Sequence, residues 1–329
     1  MSVSSFDYVR ASALDDAIVM GAMSGSVYLA GGTDLLALCK AGLATPHQVV
    51  DISRLPLGGI SHSADTLTIG ALARLSDVSA HPYVSAHTPL IRDAILASAS
   101  GQIRNMATVG GNLLQRTRCP YFRDAGLACN KHEAGSGCGA RHGENRHAAI
   151  FGGSPGCVAT HPSDLAVALA ALDAEVVVGS TSGVRRLGLA DLYPLPDTTH
   201  APNSSLAAGD IITGVRVHDA FRFAPRSTYL KIRDRASFEF AVVSVAAALR
   251  IEDGLIVAAR LAAGGVAPSP WRLHRSEAAL IGGAATPEAF RAAAELAVEG
   301  AEPLTKNGFK VKLLRNAVVR ALQSVGGRA

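Results

Sequence analysis

Four cysteines lie in one stretch of the chain, and their spacing is the strongest chemical signal in the sequence. Cys119, Cys129, Cys138 and Cys157 are four of the five cysteines, separated by nine, eight and eighteen residues. No pair forms the Cys-x-x-Cys knuckle that usually gives structural zinc two tetrahedral ligands. Wide, uneven spacing suits a larger metal centre around which the chain must wrap, and a [4Fe–4S] cluster held by four thiolates is such a centre. A zinc site or scattered core cysteines are the alternatives.

The charges around these cysteines suit an anionic centre. Cations would offset the negative charge of a thiolate-bound cluster, and on the surface they would offer a dock for an acidic one-electron protein or a small anionic acceptor. Six cations oppose three carboxylates in the stretch, namely Arg116, Arg118, Arg123, Lys131, Arg141 and Arg146 against Asp124, Glu133 and Glu144. Cys39 lies outside the stretch, and its apolar surroundings predict a buried, inert thiol.

Two glycine-bearing segments precede the cysteines and have the composition of nucleotide-binding turns. Gly31-Gly32-Thr33-Asp34 directly follows the apolar run 27–30, and the second segment is Thr108-Val109-Gly110-Gly111-Asn112. Backbone N–H groups in such turns can approach an anionic group, and a following helix N-terminus adds a favourable field. Neither segment is a Walker loop or a Gly-x-Gly-x-x-Gly fingerprint. Taken alone, the first segment equally describes an ordinary tight turn.

Length and composition describe a globular protein and exclude several classes. A chain of 329 residues is long enough for two or three domains with their own cores. The net charge of +4 is too small to indicate a nucleic-acid-binding protein. No run of apolar residues is long enough for a membrane-spanning helix, and the N-terminus lacks the pattern of a cleavable signal. The odd, clustered cysteines favour metal-bound thiolates in a reducing compartment over a disulfide framework.

Hydrophobic periodicity places both glycine turns where strands meet helices. The first turn lies inside a small β-α-β unit, with strands predicted at 6–10, 27–30 and 48–52 and helices at 13–23 and 35–41. A second unit has strands at 66–70 and 210–217, a hairpin at 175–189, helices within 75–98 and at 165–172, and the second glycine turn at 101–112. After a boundary near 221–225, an α+β module has strands at 227–233, 241–251 and 255–263 and helices at 272–281, 287–298 and 309–325.

Taken together, these motifs resemble the FAD-binding medium subunit of the xanthine dehydrogenase and molybdenum hydroxylase family over essentially the whole chain. Segments 30–36 and 108–112 are similar to the family's two FAD loops, and Ser163-Asp164 resembles the pair that closes on the ribityl or ribose region. Lys231 falls where the family has a lysine near the flavin ring, and 265–267 with 270–272 resembles the signature of the C-terminal domain. The FAD-binding residues that the resemblance implies are Tyr28, Leu29, Ala30, Gly31, Gly32, Thr33, Asp34, Leu35, Leu36, Thr108, Gly111, Asn112, Asp164, Ile211, Ile212 and Lys231.

The resemblance also implies the fold. It is an α+β fold with a two-subdomain FAD-binding domain of the molybdenum hydroxylase type, similar to vanillyl-alcohol oxidase (PCMH type), at residues 1–220. A small β-α-β subdomain covers 1–57, and a second subdomain covers 58–220. A C-terminal α+β domain with a three-stranded antiparallel sheet covers 221–329.

The cysteine stretch corresponds to an insertion that simpler members of the family lack. About forty extra residues, roughly 116–157, separate Gly-Gly-Asn from Ser-Asp. Segments 115–122, 129–131 and 135–138 resemble a subclass with an extra [4Fe–4S] cluster, which includes bacterial aldehyde oxidoreductases of the periplasmic type. In that subclass Cys119, Cys129, Cys138 and Cys157 would be the ligands. The β subunit of 4-hydroxybenzoyl-CoA reductase is a more distant relative.

The function that the resemblance implies is electron transfer within a heterotrimer. A large molybdopterin subunit would oxidise an aldehyde, a small [2Fe–2S] subunit would pass electrons to FAD, and an external acceptor would receive them. This chain would then carry no catalytic residue of its own, no nucleic-acid site and no membrane span. The alternatives are reversed electron flow, as in 4-hydroxybenzoyl-CoA reductase, and a zinc-stabilised FAD-binding protein acting alone. The expected location is the cytoplasm, or the periplasm through co-export with a signal-bearing small subunit.

Overall fold

The N-terminal part forms the small parallel sheet that the sequence predicts. The computed structural model of the chain describes residues 5–197 and 203–327. Both outer strands pair in parallel with the third strand, which gives the order β1-β3-β2. The β-α-β unit is thereby confirmed. Its elements are β1 (Asp7–Arg10), α1 (Leu14–Gly21), β2 (Ser26–Leu29), α2 (Leu35–Lys40) and β3 (Gln48–Asp51).

A second, antiparallel sheet of five strands follows, and helices cover one of its faces. The strand order is β4-β5-β8-β6-β7, and a β-bulge interrupts the pairing of β6 with β8 at Val177 and Val178. The strands are β4 (Ile60–His62), β5 (Thr66–Gly70), β6 (Glu175–Ser180), β7 (Gly183–Gly188) and β8 (Ile211–His218). The helices are α3 (Leu75–Ala80), α4 (Pro82–His87), α5 (Pro89–Ala97), α6 (Gly101–Arg104), α7 (Val109–Leu113), α8 (Pro120–Arg123) and α9 (Asp164–Ala171).

The second glycine segment differs from the single turn that the sequence predicts over 101–112. It contains two short helices, α6 and α7, and the two glycines lie inside α7. The Thr108 hydroxyl caps α7 by accepting a hydrogen bond from the Gly111 N–H at 3.3 Å. Capping stabilises the helix despite the low helix propensity of glycine, and a propensity argument therefore misses it.

The C-terminal part contains an antiparallel sheet in the order β12-β11-β10-β9. Three strands were predicted, and the fourth is a two-residue edge strand where the sequence had suggested the start of a helix. Trp271 and Arg272 pair with Ala263 and Ala262, and two residues are too few to give a periodic signal. The elements are β9 (Ser227–Ile232), β10 (Val243–Glu252), β11 (Leu255–Gly264), β12 (Trp271–Arg272), α10 (His274–Leu280), α11 (Pro287–Leu296) and α12 (Phe309–Gly326).

Strand β10 has both faces buried, which explains its continuous apolar sequence. Ala246 and Ala248 point into the core beneath the five-stranded sheet, whereas Val245 and Leu249 point into the core that the C-terminal helices cover. Successive side chains of a strand face opposite sides, so one strand serves two cores. The part that contains the five-stranded sheet and the C-terminal helices therefore pack against opposite faces of the C-terminal sheet.

The cysteine insertion is mostly turns, and polar side chains fix the point where it returns to the fold. Lys310 on α12 is 1% exposed. Its ammonium donates to the carbonyl oxygens of His147 and Ala148 at 3.0 Å and of Gly265 at 2.7 Å. Burial and the charge of Arg146 lower the pKa of Lys310 to about 7, while three carbonyl acceptors match the three N–H bonds of the charged form.

No helix among the residues that the structure describes has the length and apolar character needed to cross a membrane.

The Lys310 contacts lead to a stability prediction. Lys310→Met keeps the apolar stem but removes the ammonium donor from the His147 and Gly265 carbonyl oxygens and one of two side-chain donors from that of Ala148, so we expect a loss of about 2–4 kcal/mol. The thermal unfolding midpoint measures it. Lys312→Met on the same helix is the control, because Lys312 is exposed. Equal midpoints for the two variants would show that the buried ammonium does not hold the insertion in place.

Candidate functional site

A cleft of about 810 Å³ lies where the glycine segments, the insertion and the C-terminal sheet meet. Its wall contains fourteen of the sixteen residues expected to bind FAD. Leu29 and Leu36 do not line it, and their side chains pack instead against the backbone of Gly32. The residues that line the cleft are Tyr28, Ala30, Gly31, Gly32, Thr33, Asp34, Leu35, Thr108, Gly111, Asn112, Asp164, Ile211, Ile212 and Lys231.

The two glycine segments touch each other at the floor of this cleft. A Cβ on Gly31 would lie 1.9 Å from the Met106 carbonyl oxygen, a backbone atom that cannot move aside. Gly32 has φ +71°, a left-handed conformation that disfavours other residues. Glycine at both positions lets the first turn approach the second and exposes backbone N–H groups to the cleft.

Ser163 and Asp164 join the second glycine segment to the C-terminal sheet. The Ser163 hydroxyl donates to Asn112 Oδ1 at 2.5 Å and accepts from the Ala166 N–H at 2.9 Å, which caps α9. The Asp164 carboxylate is 5% exposed and accepts from Lys231 Nζ at 2.7 Å and from the Tyr229 hydroxyl at 2.7 Å. Burial raises the pKa of Asp164, and the Lys231 charge opposes that shift.

Lys231 is thus one half of a buried ion pair at the cleft wall. Its ammonium also donates to the Ala97 carbonyl oxygen at 3.1 Å, so a carboxylate and a carbonyl hold its position. A positive charge held in this way is suited to interact with an anionic group in the cleft. The family resemblance predicted Lys231 near the flavin, and the structure shows that Asp164 is its ion-pair partner.

The four cysteines of the insertion gather around Cys119. Cys119 packs in three apolar groups that contain Cys129, Cys138 and Cys157 respectively. Cys129 and Cys138 face each other across an isolated antiparallel bridge, and all the cysteines are free of disulfide bonds. Burial raises the pKa of Cys157 to about 11, against the nearby Lys131 charge. Cys39 is apart on α2, buried as expected, and burial raises its pKa too.

The thiols are not arranged around one ion. Across residues 5–197 and 203–327, no three His, Cys, Asp or Glu side chains come close enough to hold a single metal ion. A zinc ion brings its sulfurs to about 2.3 Å from one centre. In a cubane each thiolate binds a different iron, so the four sulfurs stand further apart.

The arginines at the start of the insertion are turned inward, whereas Arg146 is exposed, and the expected surface dock stays a prediction. The Arg118 and Arg123 guanidinium groups contact Asp34 Oδ1 at 2.8 and 3.1 Å, and the Arg116 backbone N–H donates to Asp34 Oδ2 at 2.8 Å. Arg141 likewise donates to the Ser154 carbonyl oxygen. Only the tertiary structure brings Asp34 and these arginines together, because about eighty residues separate them.

A small cavity of about 30 Å³ lies between the cysteines and the cleft. Cys157, Lys131, His161 and Tyr193 line it, and Gln115 lines both this cavity and the cleft. His161 is partly buried, with Nε2 3.3 Å from the Leu113 carbonyl oxygen, and desolvation lowers its pKa to about 4. Sequence reasoning missed His161, although its position next to Ser163-Asp164 was a usable signal.

Comparison with known proteins places this site in a family. The model described as "FAD binding domain in molybdopterin dehydrogenase" matches residues 4–218, and the "CO dehydrogenase flavoprotein C-terminal domain" matches residues 228–325. Fold and cleft thus define a flavin-binding oxidoreductase module. The chain belongs to the family of FAD-binding subunits of molybdopterin dehydrogenases, and the expected resemblance is confirmed at that level.

Individual relatives agree over nearly the full length. The chain is 41% identical over 307 residues to the aldehyde oxidoreductase FAD-binding subunit PaoB of Escherichia coli, with 93% of each chain covered. It is 28% identical to the carbon monoxide dehydrogenase medium chain of Hydrogenophaga pseudoflava, with 98% of each covered. A solved carbon monoxide dehydrogenase structure from H. pseudoflava matches with a TM-score of 0.77 at 26% identity and full coverage of both chains. The α+β fold is confirmed.

Substitution of Gly32 tests the first glycine turn. Gly32→Val forces a branched residue into a left-handed conformation and directs it at the Leu36 side chain, 3.0 Å from the new Cβ. We expect a folded protein that purifies without FAD, as judged by absorbance of the released flavin. Gly42→Val is the matched control, because Gly42 has φ +72° with nothing within 4 Å. Full FAD content in Gly32→Val would exclude this turn as a FAD-binding element.

The partly buried His161 predicts a pH dependence. Its folded pKa of about 4 lies below the usual value near 6.5, so the unfolded chain binds the proton more readily. This contribution to stability is fully present above pH 6.5 and is lost as the pH falls toward 4, by about 3 kcal/mol in all. His161→Gln should flatten that part of the stability profile, measured by denaturant unfolding at several pH values. His142→Gln, at an exposed position, should not.

Proposed function

We propose that this chain is the FAD- and [4Fe–4S]-carrying electron-transfer subunit of a molybdenum-containing aldehyde oxidoreductase. The observation that carries the proposal is the adjacency of two cofactor sites. Gln115 and Pro162 line both the FAD cleft and the small cavity that Cys157 borders. Two redox groups held this close would exchange electrons directly within one subunit.

FAD supplies the chemistry of the cleft, because it accepts and releases electrons singly or in pairs. The residues of this chain bind and orient it. Backbone N–H groups of 31–33 are available to the diphosphate, and the fixed Lys231 charge favours an anionic reduced flavin. Asp164 keeps Lys231 in position through the 2.7 Å contact, so the polar wall is set before the cofactor binds.

Cys119, Cys129, Cys138 and Cys157 would hold the [4Fe–4S] cluster. The free thiols and their shared packing with Cys119 support that assignment. The buried cysteines cost free energy when ionised, which a bound cluster and the Lys131 charge would offset.

The partners that we propose are a large molybdopterin subunit and a small [2Fe–2S] subunit. Substrate oxidation would take place on the large subunit, so the residues of this chain serve to position cofactors. The relative from E. coli is named as the FAD-binding subunit of an aldehyde oxidoreductase, and an aldehyde is accordingly the proposed substrate class. We propose synthesis in the cytoplasm, with co-export to the periplasm if the small subunit carries a signal; fractionation with and without that N-terminus tests this.

Turnover with different acceptors tests the function. Cubanes carry single electrons, so the intact complex should reduce ferricyanide or a quinone with an aromatic aldehyde much faster than NAD⁺. The visible spectrum should show a flavin band on broad iron–sulfur absorption, whereas a zinc protein would show the flavin alone. Faster turnover with NAD⁺ would contradict the proposed acceptor class, and absence of aldehyde turnover would contradict the proposed substrate class.

Loss of one cysteine tests the cluster. Cys119→Ser removes the thiol around which the others gather, so the protein should lose iron and the insertion should lose stability. Iron and acid-labile sulfide analysis measures the first effect. Cys39→Ser is the control and should keep its iron, because Cys39 lies on α2 away from the group. About four irons per chain in Cys119→Ser would refute the assignment.

A further inference from the structure

Two arginines of the insertion bring positive charge to the wall of the cleft that is expected to hold FAD. Arg116 and Arg118 both line it. The Nε atoms of both are buried and have no hydrogen-bond partner in the described part of the chain. A buried N–H without a partner costs free energy, which other interactions of these two side chains must offset.

The charge balance around Asp34 identifies the kind of ligand. Arg116, Arg118 and Arg123 surround this one carboxylate, and the three positive charges repel one another. Burial lowers the pKa of Arg116, the Asp34 charge opposes that shift, and the Arg123 charge adds to it. Three guanidinium groups against one carboxylate leave an excess of two positive charges. A dianion therefore balances the site, and guanidinium groups bind phosphoryl oxygens through paired hydrogen bonds.

The position of the arginines identifies the dianion. Arg116 is tied to Asp34 through its backbone N–H at 2.8 Å, and Asp34 directly follows the glycines of the first turn. The Arg116 and Arg118 side chains thus lie beside backbone N–H groups that are suited to the same anion. We propose that Arg116 and Arg118 bind the diphosphate of FAD, so that the insertion is itself part of the FAD site.

An aromatic ring lies beside each of these side chains. The Arg116 guanidinium carbon lies 5.6 Å from the centre of the Phe122 ring, and that of Arg118 lies 5.0 Å from the centre of the Phe240 ring. Rings at this distance stabilise the cation and restrict its motion. Arg118 also contacts Asp34 at 2.8 Å, so both its charge and its position at the cleft wall are fixed.

The inference rests on FAD occupying this cleft, and it predicts a dependence of FAD binding on the insertion. Arg116→Gln and Arg118→Gln should each weaken FAD binding by roughly tenfold to a hundredfold. Iron content should stay at the wild-type level. The measurement is a fluorescence titration of deflavinated complex with FAD, paired with iron analysis. Lysine at either position keeps the charge and should recover most of the affinity.

Arg146→Gln provides the matched control, because Arg146 is an exposed insertion arginine paired with the exposed Asp234. Its FAD affinity and iron content should equal those of the wild type.

Unchanged FAD affinity in Arg116→Gln and Arg118→Gln would overturn the inference, and iron loss with FAD retained would assign the arginines to the thiolate site instead. If a glutamine variant does not fold, the lysine variants decide: wild-type-like salt dependence of FAD binding supports the inference, and affinity as low as in Gly32→Val overturns it. FAD retention in Gly32→Val, by contrast, would refute the location of FAD in the cleft altogether.

Discussion

The ion cluster at Asp34 is the interaction on which the arrangement of this protein depends. Asp34 ends the first glycine turn, and the arginines that contact it begin the cysteine insertion. Charge-assisted hydrogen bonds of this kind contribute about 1.5–3 kcal/mol each when they are shielded from water, and the Asp34 side chain is 15% exposed. Without this contact a polar, turn-rich loop would have little reason to pack against the cleft. The carboxylate thereby fixes where the thiols lie relative to the flavin site.

A second constraint comes from strand β10, which has no solvent-exposed face over most of its length. Residues such as Ala246 and Leu249 face different cores, so the C-terminal sheet is held between two layers of helices. Small side chains on one face let α9 approach closely, and Ser163 and Asp164 at the start of α9 then reach the cleft. Packing of the sheet therefore determines the position of the Asp164–Lys231 pair, and the pair holds the Lys231 ammonium at the cleft wall.

Polar anchors add to the apolar packing of the insertion. The Asn307 side-chain amide donates to the Ala148 and Ala149 carbonyl oxygens, and the Lys310 ammonium donates to Ala148 and its neighbours. A loop rich in glycine has a high conformational entropy to lose on ordering. Side chains from the rest of the fold therefore hold it at both ends, at Asp34 and at Asn307 with Lys310.

Much of this structure follows from local sequence signals. The β-α-β unit, the hairpin at 175–189 and the three long strands of the C-terminal sheet have periodic apolar patterns, because each buries one or both faces along a regular element. The residue types and the spacing of the cysteines and the glycine turns are enough to predict a metal-binding loop and nucleotide-binding turns. The edge strand at Trp271, the helices α6 and α7 and the five-stranded order of the second sheet have no such signal, because short or capped elements depend on their neighbours.

The sequence by itself determined which residues are candidates for holding cofactors, since thiols and glycine turns are defined by covalent chemistry and backbone freedom. Only the tertiary structure decided which charges face the cleft. The insertion arginines have the composition of a solvated patch, yet they turn inward because Asp34 attracts them from about eighty residues away. Lys231 and Lys310 are buried for the same reason: each meets acceptors on a distant segment, and electrostatic pairing through space leaves no trace in local sequence.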